Sequence, residues 1–308
     1  MLDIVKSSPQ LSTQISEFER AKRATICLFQ LVVVDDYLKQ LMRRDVYKHY
    51  FIENKLGVLD TQTDNFCIPL EFSHAAFRFG HSMVRESYHI SSNDGSKIGL
   101  EKLMEHSRDA PLKKNLVIDW SLFFEMQKNG KVDEALKVDL KISPTMASIP
   151  KAANNSATCL NIVKLNLEAG MQSKIKNGNE ILTELKNNEQ VQSLVSEFHE
   201  LPKIKTEVHK FLNSFRDRMP LWLFILHENF GTESRGLGNV GSIIVAEVIR
   251  KSILTYQHRA YPKTGFTDLR TNIEAEFFAQ TGKGGQHFFN KVFENGKCTM
   301  PKILQLLE

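Results

Sequence analysis

Apolar positions recur at helical spacing along most of this chain and strict alternation is scarce, which predicts a mainly α protein. The first long segment, entered from Ser16, sets Phe18, Ala21, Thr25, Leu28, Val32 and Tyr37 near one stripe. Ile26, Cys27, Phe29, Leu31, Val33 and Val34 then make it apolar nearly all round, so a buried helix is expected. Thr13 or Ser16 can cap it, and Ser16 with Glu19 has capping-box spacing. From Pro69 to Tyr88 a single further helix is expected. Phe72, Ala75, Ala76, Phe79 and Met83 are its apolar members, and His74, Arg78, His81 and Arg85 step along one face.

Thr61–Asn65 and Ser91–Ser96 read as turns, Glu101–Lys114 as a short charged helix bounded by Pro111, and Leu116–Phe124 as a short buried segment. Pro144 and Pro150 argue for extended chain over Lys137–Pro150. Between Ile181 and Phe215, Leu182, Leu185, Val191, Leu194, Val195 and Phe198 mark the buried side of one or two amphipathic helices. Met219–Phe230 is apolar and helical. The tail from 257 to 308 reads as loop with short helix, and His287 within it as a surface or packed histidine. One domain over 1–308 is expected.

Composition narrows the classes. With 40 basic and 36 acidic residues and no basic run, the net charge of +4 gives no nucleic-acid signature. The start, MLDIVKSSPQ, lacks the features of a signal peptide and no stretch reaches membrane-span length, so a cytoplasmic protein is expected. Cys27, Cys67, Cys159 and Cys298 are scattered, without zinc or disulfide spacing, and read as free thiols.

The chemistry concentrates on the 69–88 stretch. Two imidazoles and two guanidiniums share its polar face, and Gly80 inside a helix costs about 1 kcal/mol relative to Ala, which calls for something close to its backbone. A flat macrocycle answers both features: an imidazole ligates haem iron, and guanidiniums pair with propionates. An ordinary packed or surface histidine is the competing reading. The wording EFSHAAFRFGHSMVR, however, resembles the proximal-histidine helix of the animal haem peroxidase family, especially its bacterial branch.

The resemblance is clearest over 16–256. It includes the FERAKRATICLFQLVVVDDYL segment, with Arg20 where the family usually has Glu, and the MPLW and LGNVG segments in the family's order. It implies a mainly α fold like that of the family, haem b as cofactor, His81 as the iron ligand and Arg78 beside a propionate. Ser156–Gly170 aligns with an L-[RN]-N-[IL]-x-R-G segment, which makes Asn161 the acceptor that orients His81. Lys164 then stands for the family's Arg, Leu165 for its Gly, and AGM for a GLP-like turn. A helix-capping role is the alternative for Asn161.

The activity implied is peroxide-dependent oxidation of a small substrate. The family's distal histidine and arginine motifs match nothing here; His49 is the sole histidine before His74 and KHYF resembles neither, so no catalytic residue is assigned. The chain therefore resembles the C-terminal part of a peroxidase, truncated at its N-terminus, with the distal half lost or supplied by a separate chain. A non-catalytic helical scaffold with weak or no haem binding is the alternative. Gly236, Gly238 and Gly241 match G-x-G-x-x-G, but without a strand before or an acidic residue about 20 positions later they are assigned to helix packing. Ser173–Lys176, a formal S-x-x-K, has no companion motif.

Overall fold

The computed structural model describes residues 5–6, 16–61, 66–91, 95–106, 118–126, 132–149, 160–196, 201–202, 212, 214–230, 233–260, 269–294 and 297–306. In chain order the helices are α1 Glu17–Val32, α2 Lys39–Leu41, α3 Arg44–Tyr47, α4 Leu70–His74, α5 Leu100–His106, α6 Pro144–Ala147, α7 Ile162–Gln172, α8 Gly178–Asn187, α9 Gln192–Val195, α10 Leu221–His227, α11 Asn239–Ala260, α12 Leu269–Val292 and α13 Met300–Leu304. The strands among the described residues form two antiparallel hairpins: β1 Ser87–His89 with β2 Lys97–Gly99, and β3 Phe293–Glu294 with β4 Lys297–Cys298. The fold is mainly α, and among the described residues no helix is long and apolar enough to cross a membrane. Thr13, Pro111, Pro150, Cys159 and Phe198 lie outside the described residues.

The chain divides into two compact units, Met1–Phe66 with Ile249–Glu308, and Cys67–Val248. In the first, α1 packs along α12. Ser16 caps α1 by accepting from Glu19 N at 3.2 Å, while the Glu19 carboxylate turns to Arg23 and Lys22 instead of closing a capping box. The buried face is rotated from the expected stripe. It runs through Arg20, Ala21, Ala24, Cys27 and Leu31, leaving Phe18 and Phe29 exposed. The reason is visible in α12, whose Gly282 sits at φ 57° and kinks the helix. The kink frees the Gln280 carbonyl, and the buried Arg20 guanidinium donates to it at 2.9 and 3.2 Å, a cation at an interrupted helix C-terminus. This 24-residue helix replaces the loop expected for the tail; His287 is exposed on it.

Beyond α1 the helix widens to π geometry over Val33–Leu38. The wider turn carries Asp35 inward, where it accepts from Cys298 N at 2.9 Å and pairs with Arg270. Burial pushes the Asp35 carboxyl above its ordinary value and raises the Cys298 thiol to about 12, leaving that thiol inert. A second π segment, Lys48–Ile52, buries His49, which donates from Nε2 to the Leu56 carbonyl at 3.3 Å.

In the second unit the central helix is α10, flanked by α7 and α8. Gly178 begins α8 against Phe224: a Cβ there would lie 2.1 Å from the ring, so only glycine allows the two helices to meet. Leu182, Leu185, Val191, Leu194 and Val195 are buried as their spacing predicts, and Ile181 is buried with them. Two expectations are corrected. Ile118 and Trp120 are exposed, because Asp119 caps only a short 3-10 turn and leaves no helix face to bury them. Residues 144–147 form α6, since Pro144 occupies the first helical turn, where a missing N–H costs nothing.

Candidate functional site

The 69–88 stretch is not one helix. α4 ends at His74, Ala75 breaks it at φ −137° and ψ −72°, a 3-10 helix runs from Ala76 to Ser82, and Ser87 already belongs to β1. The expected common face of four side chains is therefore split. His74 Nδ1 faces the Ser73 hydroxyl at 2.9 Å, and Arg85 donates to the Glu134 carbonyl at 2.7 Å. Arg78 and His81, three residues apart in the 3-10 turn, remain together and meet one residue, Asn166 of α7. Arg78 Nη1 lies 3.1 Å from Asn166 Oδ1, and Asn166 Nδ2 lies 2.9 Å from His81 Nδ1.

Other bonds fix this turn from behind. Arg78 Nε donates to the Ser73 carbonyl at 3.1 Å, and Trp222 Nε1 of α10 donates to the Arg78 carbonyl at 3.2 Å. Asn166 is fully buried while His81 is half-buried. Burial first, then the positive charge of Arg78, holds the His81 imidazole below its ordinary 6.5, so the ring is neutral at pH 7. Its Nε2 has no hydrogen-bond partner among the described residues. A Cβ placed on Gly80 would meet nothing within 4 Å among the described residues, so their packing does not require the glycine.

Asn161 does not reach His81. It is the N-cap of α7, accepting from Lys164 N at 3.0 Å, and Lys164 itself is exposed beside Glu168 at 3.6 Å. The residue on the imidazole is Asn166, five positions on, and the signal for it was in the sequence. Counting four residues from Asn166 along the L-[RN]-N-[IL]-x-R-G pattern reaches Gly170, whereas the same count from Asn161 reaches Leu165. Arg78 is likewise committed to Ser73 and Asn166.

The glycines at 236–241 open α11 without a nucleotide site. The Glu228 carboxylate already holds the helix N-terminus, accepting from Val240 N at 2.8 Å and Gly241 N at 3.0 Å. A Cβ on Gly238 would lie 2.4 Å from that of Glu228, and one on Gly241 2.9 Å from Ile225. The assignment of Gly238 and Gly241 to packing stands on these distances.

A second polar constellation lies on the hairpin, where Asp133 accepts from His89 N at 2.7 Å and faces His89 Nδ1 at 3.0 Å, with Arg85 at 3.8 Å. It ties residues 132–134 to β1 and keeps the Asp133 carboxyl below its ordinary value despite partial burial.

The described architecture and the Arg78–Asn166–His81 group are those of a helical protein with one oriented, neutral imidazole. The family model for animal haem peroxidase matches residues 6–161, about half of the chain, and the chain belongs to that family. No curated protein matches it.

Proposed function

We propose that the protein binds haem b and that His81 is its iron ligand, with Asn166 orienting the ring. The observation that carries this is the contact of a fully buried amide with Nδ1 at 2.9 Å, which fixes the imidazole plane and leaves Nε2 as the nitrogen without a partner among the described residues. The residues fit the group in kind. The imidazole is neutral, space is open beside Gly80 among the described residues, and exposed Phe77 adds apolar surface three positions before it in the same turn. When bound, haem supplies the iron chemistry by which family members use peroxide to oxidise small substrates. The chain's own part on this side is to hold one ring nitrogen toward the iron and set its basicity through Asn166. Lys164, exposed on the first turn of α7, is a candidate cation for a propionate, and so is Arg78, whose Nε and Nη1 are bonded to Ser73 and Asn166 while its Nη2 donors remain.

Peroxide cleavage needs a base and a cation on the opposite face. None is assigned in this chain, so turnover is expected to stay near that of free haem. The alternative, a scaffold with weak haem binding, draws support from Arg78, whose Nε and Nη1 are bonded inward. Titration with haemin tests the proposal: a saturable Soret shift that His81→Ala abolishes supports it, and a shift unchanged in His81→Ala refutes it.

A further inference from the structure

The Arg78–Asn166–His81 group fixes more than the orientation of the ring. A guanidinium has donors only, so the Asn166 atom it touches at 3.1 Å is the carbonyl oxygen, Oδ1. The other end of the amide, which carries two N–H donors, then faces His81 Nδ1 at 2.9 Å. A protonated Nδ1 would set N–H against N–H₂, so Nδ1 must offer a lone pair and the ring proton sits on Nε2. An iron ligand needs the reverse: a lone pair on Nε2, a proton on Nδ1, and an acceptor opposite it. Asn166 Oδ1 becomes that acceptor only if the amide turns over, which would bring Nδ2 against Arg78 Nη1, donor to donor. The amide cannot turn while Arg78 stays, and Asn166 is fully buried, with no solvent to take up an unpaired donor.

We infer that Arg78, through Asn166, holds ligand-free His81 as its Nε2–H tautomer, and that ligation requires the Asn166 amide to reverse as Arg78 releases it. Arg78 is thus a positioning residue that restrains haem uptake. The tautomer follows from the hydrogen bonds alone; the restraint on uptake rests on His81 being the haem ligand. In the exchange one proton is taken up from water at Nδ1 and the proton on Nε2 leaves to water, so the ring is neutral before and after.

The experiment is ring ¹⁵N–¹H correlation spectroscopy of the full chain labelled at histidine, without haem, at pH 7.5, with the His81 signals assigned by their loss in His81→Gln. The wild type is expected to show Nε2–H. Arg78→Met keeps the aliphatic stem but removes the donor, which frees the amide to turn and shifts the ring to Nδ1–H. Asn166→Asp gives oxygens to both neighbours and should produce the same shift with Arg78 in place, so the test survives if Arg78→Met does not fold. Haemin uptake, followed by the rate of Soret growth, should then be about tenfold or more faster in Arg78→Met, the scale on which groups behind a ligand act. An Nδ1–H signal in the wild type overturns the inference, and so does Nε2–H persisting in both variants. The predicted tautomers without any Soret change in any protein would leave the hydrogen-bond assignment standing and refute the haem reading with its restraint on uptake.

Discussion

Gly238→Ala probes how α11 begins. Gly238 is not held at a positive φ, so alanine is allowed there by its backbone, and the whole penalty must come from what the new methyl meets. It would lie 2.4 Å from Glu228 Cβ and 2.7 Å from its carboxyl carbon, where carbon atoms in contact stand about 3.5–4.0 Å apart. Glu228 must therefore withdraw by about 1 Å, and both of its bonds, to Val240 N and Gly241 N, lengthen beyond use. Overpacking of this kind costs about 1–3 kcal/mol, and loss of a charged cap adds about 1 kcal/mol, so a total of about 2–4 kcal/mol is expected. At about 2–4 °C per kcal/mol for a chain of this order, the melting temperature should drop by roughly 5–15 °C. Differential scanning calorimetry reads this directly, and a double-mutant cycle isolates the cause. With Glu228→Ala in place the methyl has room, and the further cost of Gly238→Ala should fall below about 1 kcal/mol. Full additivity of the two changes would refute the reasoning, as would NADH binding that Gly238→Ala abolishes.

Arg20→Met should destabilise the first unit by about 1–3 kcal/mol, because the Gln280 carbonyl loses both donors at the kink; a urea midpoint unchanged from wild type would contradict this. Acid should also weaken the fold. Burial depresses His49, and burial with Arg78 depresses His81, so below their ordinary value of 6.5 the unfolded chain takes up protons that the folded one refuses. Stability is then full above about pH 6.5 and is lost as pH falls through the folded-state values. Urea midpoints at pH 7.5 and 5.5 should differ, and His49→Gln, which keeps a donor toward the Leu56 carbonyl, should narrow the difference; an unaltered difference would show that His49 does not contribute.

Helical class and much of the second unit's core were legible because amphipathic spacing depends only on order along the chain: Leu182, Leu185, Val191, Leu194 and Val195 bury as their periodicity requires. Breaks within helices were not legible. Ala75 carries no signal of a break, yet the turn it begins brings Arg78 and His81 to Asn166, a residue far along the chain. The buried face of α1 was not legible for a similar reason. A buried arginine is improbable until a free carbonyl is known to face it, and that carbonyl is released by the kink at Gly282, more than 250 positions later. Asn161 and Asn166 both follow leucine and precede an aliphatic residue. The local wording alone does not separate cap from imidazole partner, but the spacing to Gly170 does.

The proposal that His81 is the haem ligand is tested most directly by removing its ring and giving a ring back. Haemin is titrated into wild type, His81→Gly, and His81→Gly in the presence of free imidazole, with the Soret band recorded at each step. The account predicts a saturable shift in the wild type, none in His81→Gly, and its return when imidazole enters the vacated space. An unshifted wild type, or a His81→Gly protein whose spectrum matches the wild type without imidazole, would contradict it.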